Sequence, residues 1–364
     1  MGRVGLSPLG RVDVAVIGAG LAGGLLALAL AEQQLSVVLI GPAPLAGWLS
    51  GQGAGPIAPA TAWSYAGVGG AALGPWKALE QRHGDLGLVP RRLHVHGSPL
   101  APVAWLWPRE PFAQLDLARF APALSARLEH LGVRQIAAAV LGPPSPMPGE
   151  GAGSWQLALQ SADGRAGELV ARQVVLAAGA GCRALWPPLP ERLRTSWAGL
   201  LQLECWPDPA PRPSRWLRRV RAGGMVLPSR FERLDLERRS ATLEQPAWVV
   251  DAGLVPWGEG ALLGQISLVR PGVELGEPPD AAWMEAQLRR GLAQLDPTLA
   301  ALPGRYCQVP VSFCTDGRPL VGPIDEAPGL WVFAGFSGAF FQVPAAATEQ
   351  AAAMATASAE ARAS

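Results

Sequence analysis

Asp13-Val14-Ala15-Val16-Ile17-Gly18-Ala19-Gly20-Leu21-Ala22-Gly23 decides the reading of this chain. An apolar β-type run, Val14 to Ile17, meets a G-x-G-x-x-G spacing at Gly18, Gly20 and Gly23, and an apolar helical stretch follows from Leu21 to Gln33. A second apolar run, Ser36 to Ile40, completes a strand–helix–strand unit, the context this glycine pattern requires. Gly18 permits the tight turn, Gly20 lets the main chain approach a pyrophosphate, and Gly23 lets helix and strand pack closely. The helix N-terminus offers unpaired N–H groups and a positive dipole end to the phosphates. An acidic residue about 20 positions on normally binds the ribose hydroxyl. Here that position is Gly41, and no carboxylate occurs between Glu32 and Glu80.

Eighteen uncharged residues run from Val14 to Ala31, long enough by count to span a membrane. The glycines at 18, 20, 23 and 24 favour a strand, a turn and a helix instead. Composition narrows the rest. The chain has 364 residues, enough for two or three domains, with 49% hydrophobic and 16% charged residues, which excludes bulk disorder. A net charge of +1 gives no basic excess for a nucleic acid. Four cysteines without C-x-x-C spacing and four histidines form no zinc pattern, so a reduced, cytoplasmic protein without a structural metal is expected. The N-terminus shows no secretory signal. Of the 30 basic residues only Lys77 is a lysine.

Two further apolar runs end in small residues. One is Gln173 to Leu176 leading to Ala177-Ala178-Gly179-Ala180-Gly181; the other is Leu330 to Phe333 leading to Ala334-Gly335-Phe336-Ser337-Gly338-Ala339. Small residues at strand ends let a large planar ligand lie against the backbone. Three such approaches suit one long buried dinucleotide. The second runs into an Ala-rich, helix-like tail from Ala345 to Ala361, with Pro344 at an early helical position.

Together with Thr315-Asp316-Gly317-Arg318-Pro319-Leu320-Val321-Gly322-Pro323 and Pro328-Gly329-Leu330, these stretches resemble the D-amino-acid-oxidase-type family of FAD-dependent oxidoreductases, the group that includes glycine oxidase and sarcosine oxidase. Their order and spacing match over nearly the whole chain. The resemblance implies an α/β fold: a Rossmann-like FAD-binding domain, discontinuous in sequence, joined to an α+β substrate domain on a mixed or antiparallel sheet. The FAD-binding parts are expected at 1–80, 115–188 and 305–364, and the substrate parts at 81–114 and 189–304. Helices are expected from Leu117 to Leu131 and from Asp280 to Leu295, the latter with Asp280 as N-cap. Substrate-domain strands are expected at Leu200–Cys205, Met225–Pro228, Trp248–Val250, Leu254–Pro256 and Ala261–Ile266.

The resemblance further implies FAD as cofactor, held by Gly18, Ala19, Gly20, Leu21, Ala22, Gly23, Val140, Ala178, Gly179, Gly335, Phe336, Ser337, Gly338, Ala339 and Phe340. It implies oxidation of a C–N bond in a small amine or amino acid by hydride transfer to flavin N5, with O2 or another acceptor reoxidising the flavin. The protein must then supply a cation for the substrate carboxylate and positive potential near the flavin N1–C2 edge. Where glycine oxidase-like members carry an arginine before the D-G-x-P turn, this chain has Val311. Arg318, Tyr306 and Ser337 are the candidate catalytic residues, with Arg305 a further cation nearby. Sarcosine oxidase-like members attach flavin through a cysteine, and Cys307 and Cys314 fall near that strand. The alternative is a flavin-binding protein that no longer oxidises amino acids. Arg215 to Arg221 reads as a solvated face.

Overall fold

The computed structural model describes residues 10–42, 73–97, 113–147, 154–206, 214–337 and 340–363. Its strands are β1 (Arg11–Ile17), β2 (Val37–Gly41), β3 (Leu88–Pro90), β4 (Arg92–His96), β5 (Ala113–Leu115), β6 (Arg134–Val140), β7 (Ser145–Pro146), β8 (Trp155–Ser161), β9 (Ala166–Leu176), β10 (Leu193–Leu203), β11 (Gly224–Pro228), β12 (Ala247–Trp257), β13 (Gly260–Val269), β14 (Arg305–Cys314), β15 (Leu320–Pro323) and β16 (Leu330–Ala334). The helices are α1 (Leu21–Glu32), α2 (Gly74–His83), α3 (Leu117–His130), α4 (Cys182–Leu185), α5 (Arg215–Arg221), α6 (Glu232–Arg239), α7 (Ala281–Leu295), α8 (Pro297–Ala300) and α9 (Val343–Ala363).

An eight-stranded sheet runs β15-β16-β9-β1-β2-β6-β8-β7. Strands β16, β9, β1, β2 and β6 are parallel, and β15, β8 and β7 close the edges antiparallel. The parallel strands are covered on both faces, which explains why β1 and β2 read as near-continuous apolar runs. On one face α1 is buried almost all round, packed with α3, α9 and Trp76 of α2. The amphipathic helix α3 inserts Phe120, Leu124 and Leu128, spaced four apart, into the same layer, and Asp116 caps it by accepting from Ala118 N at 3.0 Å. The other face packs Ala15, Ile17, Val38, Val174 and Leu176 against α4 and the loops after it.

A six-stranded mixed sheet runs β14-β10-β13-β12-β11-β4. Alternation along its strands sorts residues to two faces. Trp197, Leu201, Leu203, Leu263 and Ile266 meet α5 and α7. Leu200, Met225, Leu227, Val255 and Leu262 point the other way and join the core of the eight-stranded sheet's helical layer. The two sheets therefore share one core. Helix α7 begins at its expected cap, with Asp280 accepting from Trp283 N at 2.7 Å.

The two expected runs Trp248–Val250 and Leu254–Pro256 form the single strand β12, interrupted by an irregularity between Val250 and Gly253. Strand β14 pairs with β10 along its whole length, Leu193 opposite Cys314 to Gln202 opposite Arg305. Residues 305–314 thus lie in the six-stranded sheet, and the Thr315–Pro319 turn leads on to β15 of the eight-stranded sheet. Nothing in the composition of β14 separates it from the strands that follow.

Candidate functional site

The three glycine-ended stretches meet at the C-terminal edge of the parallel strands, the place where open α/β sheets bind ligands. Ile17 pairs with Leu176, and Leu176 with Val332, so β1, β9 and β16 end side by side. Gly18 follows β1 with φ of +122°, and a Cβ there would fall on the Ala177 carbonyl. Only glycine fits that turn. Gly23, one helical turn into α1, presses on the Gly18 carbonyl in the same way.

Among the described residues, nothing lies within 4 Å of a would-be Cβ on Gly20. It is the N-cap of α1, with no capping side chain and no acid in the first turn among the described residues. At the end of β2 the space is already taken, because a Cβ on Gly41 would sit 2.5 Å from Ala19 Cβ and 3.0 Å from Ala19 N. The missing acidic residue therefore has a steric counterpart: the turn has closed onto glycine. Leu21 and Ala22 open α1 against the shared core, and Val140 ends β6, three residues past the Ala137 that faces Gly41.

The second and third stretches converge on Ser312 of β14. Gly335 N donates to Ser312 Oγ at 3.3 Å, and Ser337 N donates to Ser312 O at 3.3 Å. The would-be Cβ of Gly179 lies 4.0 Å from the same Oγ, with Ala178 just before it. Phe336 packs against Phe333 with ring centres 4.6 Å apart. Gly335 has φ of +79°, and its would-be Cβ lies 2.6 Å from Cys314 Sγ. Gly338 and Ala339 lie outside the described residues, and Phe340 starts a short 3-10 turn, Phe340–Gln342, that leads into α9. Pro344 is the second residue of α9.

A buried ionic cluster stands against that turn. Arg233 Nη1, on α6, donates to Glu237 Oε1 at 2.9 Å and to Ser337 Oγ at 2.7 Å, and Ser337 Oγ donates to Glu237 Oε1 at 3.2 Å. The Arg233 and Glu237 side chains are 3% and 6% exposed. Asp251 caps α6 by accepting from Glu232 N at 2.8 Å and Arg233 N at 3.3 Å. Burial pushes its carboxyl up to about 6, against the downward pull of Arg233 and the two N–H donors.

The sequence candidates fall in different places. Ser337 sits in the cluster. Tyr306 lies on the face of the six-stranded sheet that packs against α7; its hydroxyl donates to Gln308 Oε1 at 3.1 Å, and burial raises its pKa. Arg318 is exposed in the Asp316–Pro319 turn, where its main-chain carbonyl accepts from Arg192 Nη1 at 2.8 Å. Arg305 bonds Gln202 Oε1 at 2.8 Å at the surface, and Lys77 is exposed on α2. Cys314 is buried under Gly335, its thiol pushed up to about 11 by burial, and Cys307 is half-buried with its thiol also raised by burial. Sequence reasoning missed Ser312, Arg233 and Glu237. The last two carry the i, i+4 spacing of an ordinary exposed helical pair.

Among the described residues no helix is long and apolar enough to cross a membrane. The family model described as DAO, FAD dependent oxidoreductase, matches residues 92–353, more than two thirds of the chain. A search of curated proteins finds no match. Among solved structures, glycine oxidase from Geobacillus kaustophilus is similar at 18% identity and TM-score 0.60, with 95% of each chain covered. Amadoriase I, a fructosyl amine:oxygen oxidoreductase from Aspergillus fumigatus, is similar at 17% identity and TM-score 0.59, covering 95% of this chain and 87% of that one. L-proline dehydrogenase from P. horikoshii is similar at 15% identity and TM-score 0.59, covering 95% and 93%.

Proposed function

From the premise that the chain belongs to the DAO family of FAD-dependent oxidoreductases, we propose that it oxidises the C–N bond of a small amine or amino acid. FAD is its cofactor, and the glycine loop suits it: among the described residues, open space over Gly20, an uncapped α1 N-terminus, and short residues at 178–179 and 335 along the path. Bound there, FAD would supply a hydride acceptor for the substrate carbon, the nitrogen lone pair closing the C=N bond. The residues of this chain bind, orient and exclude water.

The observation that carries the reading is the meeting of the two sheets at Ser312 and Ser337. It brings the apolar face of the six-stranded sheet and the buried Arg233–Glu237 pair to the end of the third glycine stretch. A small molecule there would sit on an apolar wall beside fixed polar donors, the usual composition of a substrate site. The similar structures support the donor class, since glycine, a fructosyl amine and proline each contain an amine. Their names divide between oxidase and dehydrogenase, so fold alone favours no electron acceptor.

The test is anaerobic addition of glycine, sarcosine, proline and D-amino acids to the FAD-loaded protein. Bleaching of the flavin band by any of these supports the reading. A yellow protein indifferent to every amine overturns it in favour of a flavoprotein that no longer oxidises amino acids.

A further inference from the structure

We propose that Arg233 anchors the carboxylate of the substrate, offering its Nε–Nη2 edge to a ligand lying against the Gly335–Ser337 turn. The inference rests on the reading above only in placing a small substrate at that turn.

A guanidinium carries five N–H donors in a rigid fork. Both side-chain hydrogen bonds of Arg233 leave from Nη1, to Glu237 Oε1 and Ser337 Oγ. Its Nε–H is buried and has no partner among the described residues. A buried donor without an acceptor is unfavourable, and native proteins rarely leave one without a reason. The Nε–Nη2 edge is also the edge that meets a planar carboxylate with two parallel hydrogen bonds. Glu237 and Ser337 grip the opposite side, and Asp251 fixes the first turn of α6 beneath it, so the fork is held in one orientation before any ligand arrives.

Two other buried arginines have an unpartnered Nε, and they show why Arg233 differs. Arg183 gives its Nη atoms to the main-chain carbonyls of Pro187, Leu189, Pro190 and Leu193, and Arg194 gives Nη1 to those of Ser240 and Gly272. Both stitch loops together. Arg233 is held by side chains and reaches from a helix of one sheet to the glycine-ended turn of the other. Carboxylate binding there leaves the arginine shared between two anions, Glu237 on one edge and the ligand on the other.

The experiment titrates FAD-loaded full chain with propionate and with propionamide, its uncharged analogue, and reads the flavin difference spectrum. Propionate is expected to perturb the flavin saturably in the wild type, and propionamide to bind far more weakly. Arg233→Lys keeps a charge beside Glu237 but has no fork, and it is expected to weaken propionate on the order of 10- to 100-fold. The double variant Arg233→Met with Glu237→Met removes the paired side chains together, leaving Asp251 on its two main-chain donors, and is expected to show the same loss. Thermal melts identify any variant that fails to fold, and the remaining variant then decides. Propionate binding Arg233→Lys within about twofold of wild type, binding no better than propionamide, or leaving the wild-type flavin untouched overturns the assignment. Amines that bleach the flavin while propionate is ignored sink this inference alone. Arginine-dependent propionate binding without bleaching by any amine sinks the proposed oxidation alone.

Discussion

Replacing Gly41 by glutamate restores the acidic residue that dinucleotide-binding folds carry at the end of the second strand, and motif logic predicts tighter cofactor binding. The structure predicts the reverse. A Cβ at Gly41 lies 2.5 Å from Ala19 Cβ and 3.0 Å from Ala19 N, whereas carbon atoms rest at about 3.5–4.0 Å. Either β2 or the glycine turn must retreat by roughly 1 Å, and the nearest atoms are main chain or a methyl group with no rotamer to change. Overpacking of this kind costs about 1–3 kcal/mol. If the turn is what moves, the whole cost falls on the dinucleotide site, equivalent to roughly 5- to 150-fold in FAD affinity at about 1.4 kcal/mol per decade. Reconstitution of apoprotein, followed by quenching of FAD fluorescence, measures this directly. Gly41→Ala carries the same Cβ without the charge and is expected to share most of the loss. Ala19→Gly combined with Gly41→Glu removes the methyl collision and is expected to recover part of it. A Gly41→Glu protein that binds FAD as tightly as wild type, with an unchanged melting temperature, refutes the steric account of the missing carboxylate.

Other outcomes follow from the same geometry. Gly18→Ala meets both a positive φ and the Ala177 carbonyl, and a loss of about 3 kcal/mol or more is expected in chemical denaturation; a loss below about 1 kcal/mol counts against the described turn. Asp251 has a folded pKa near 6, above its unfolded value, so the stability linked to it is present below about pH 4 and lost as pH rises through 6. Asp251→Asn removes that titration, and wild type is expected to lose roughly 3 kcal/mol relative to the variant between pH 4 and 7; parallel stability curves would refute it. Arg318→Ala, at an exposed turn, is expected to change stability by less than about 0.5 kcal/mol and to leave flavin reduction within twofold, whereas a tenfold loss would return Arg318 to the site. With Cys314 buried and its thiol raised to about 11, FAD is expected to leave the chain on acid precipitation; flavin fluorescence retained in a denaturing gel would contradict this.

The parallel core was legible because its strands announce themselves: Val14–Ile17 and Val37–Ile40 are apolar on both faces and end in glycine, a pattern that burial under helices imposes. The short-residue stretches at 177–181 and 334–337 were legible for a related reason, since small residues at strand ends mark close approach of backbone or ligand. What escaped was everything set by pairing between distant segments. Strand β14 reads like any mixed strand, and only its register against β10 places Ser312 where it can hold Gly335 and Ser337. Arg233 and Glu237 sit in a charge-rich run, Arg230 to Arg239, that looks solvated; their burial comes from α6 packing near the glycine turn. Tyr306 is one of two tyrosines and a candidate partner for a carboxylate or hydroxyl, and strand alternation turns it toward α7. Sidedness in a sheet depends on register, and a one-residue shift reverses it.

In the proposed function three separated glycine-ended stretches hold one FAD. Quantifying flavin released from the purified, FAD-saturated chain tests it most directly, alongside the same measurement on Gly18→Ala and on Gly335→Ala, whose added methyl would press on Cys314. The account predicts one FAD per wild-type chain and a marked loss in each variant, although the two substitutions lie in the first and third stretches. Full occupancy in a folded Gly335→Ala protein, or a wild-type chain that takes up no FAD, would contradict it.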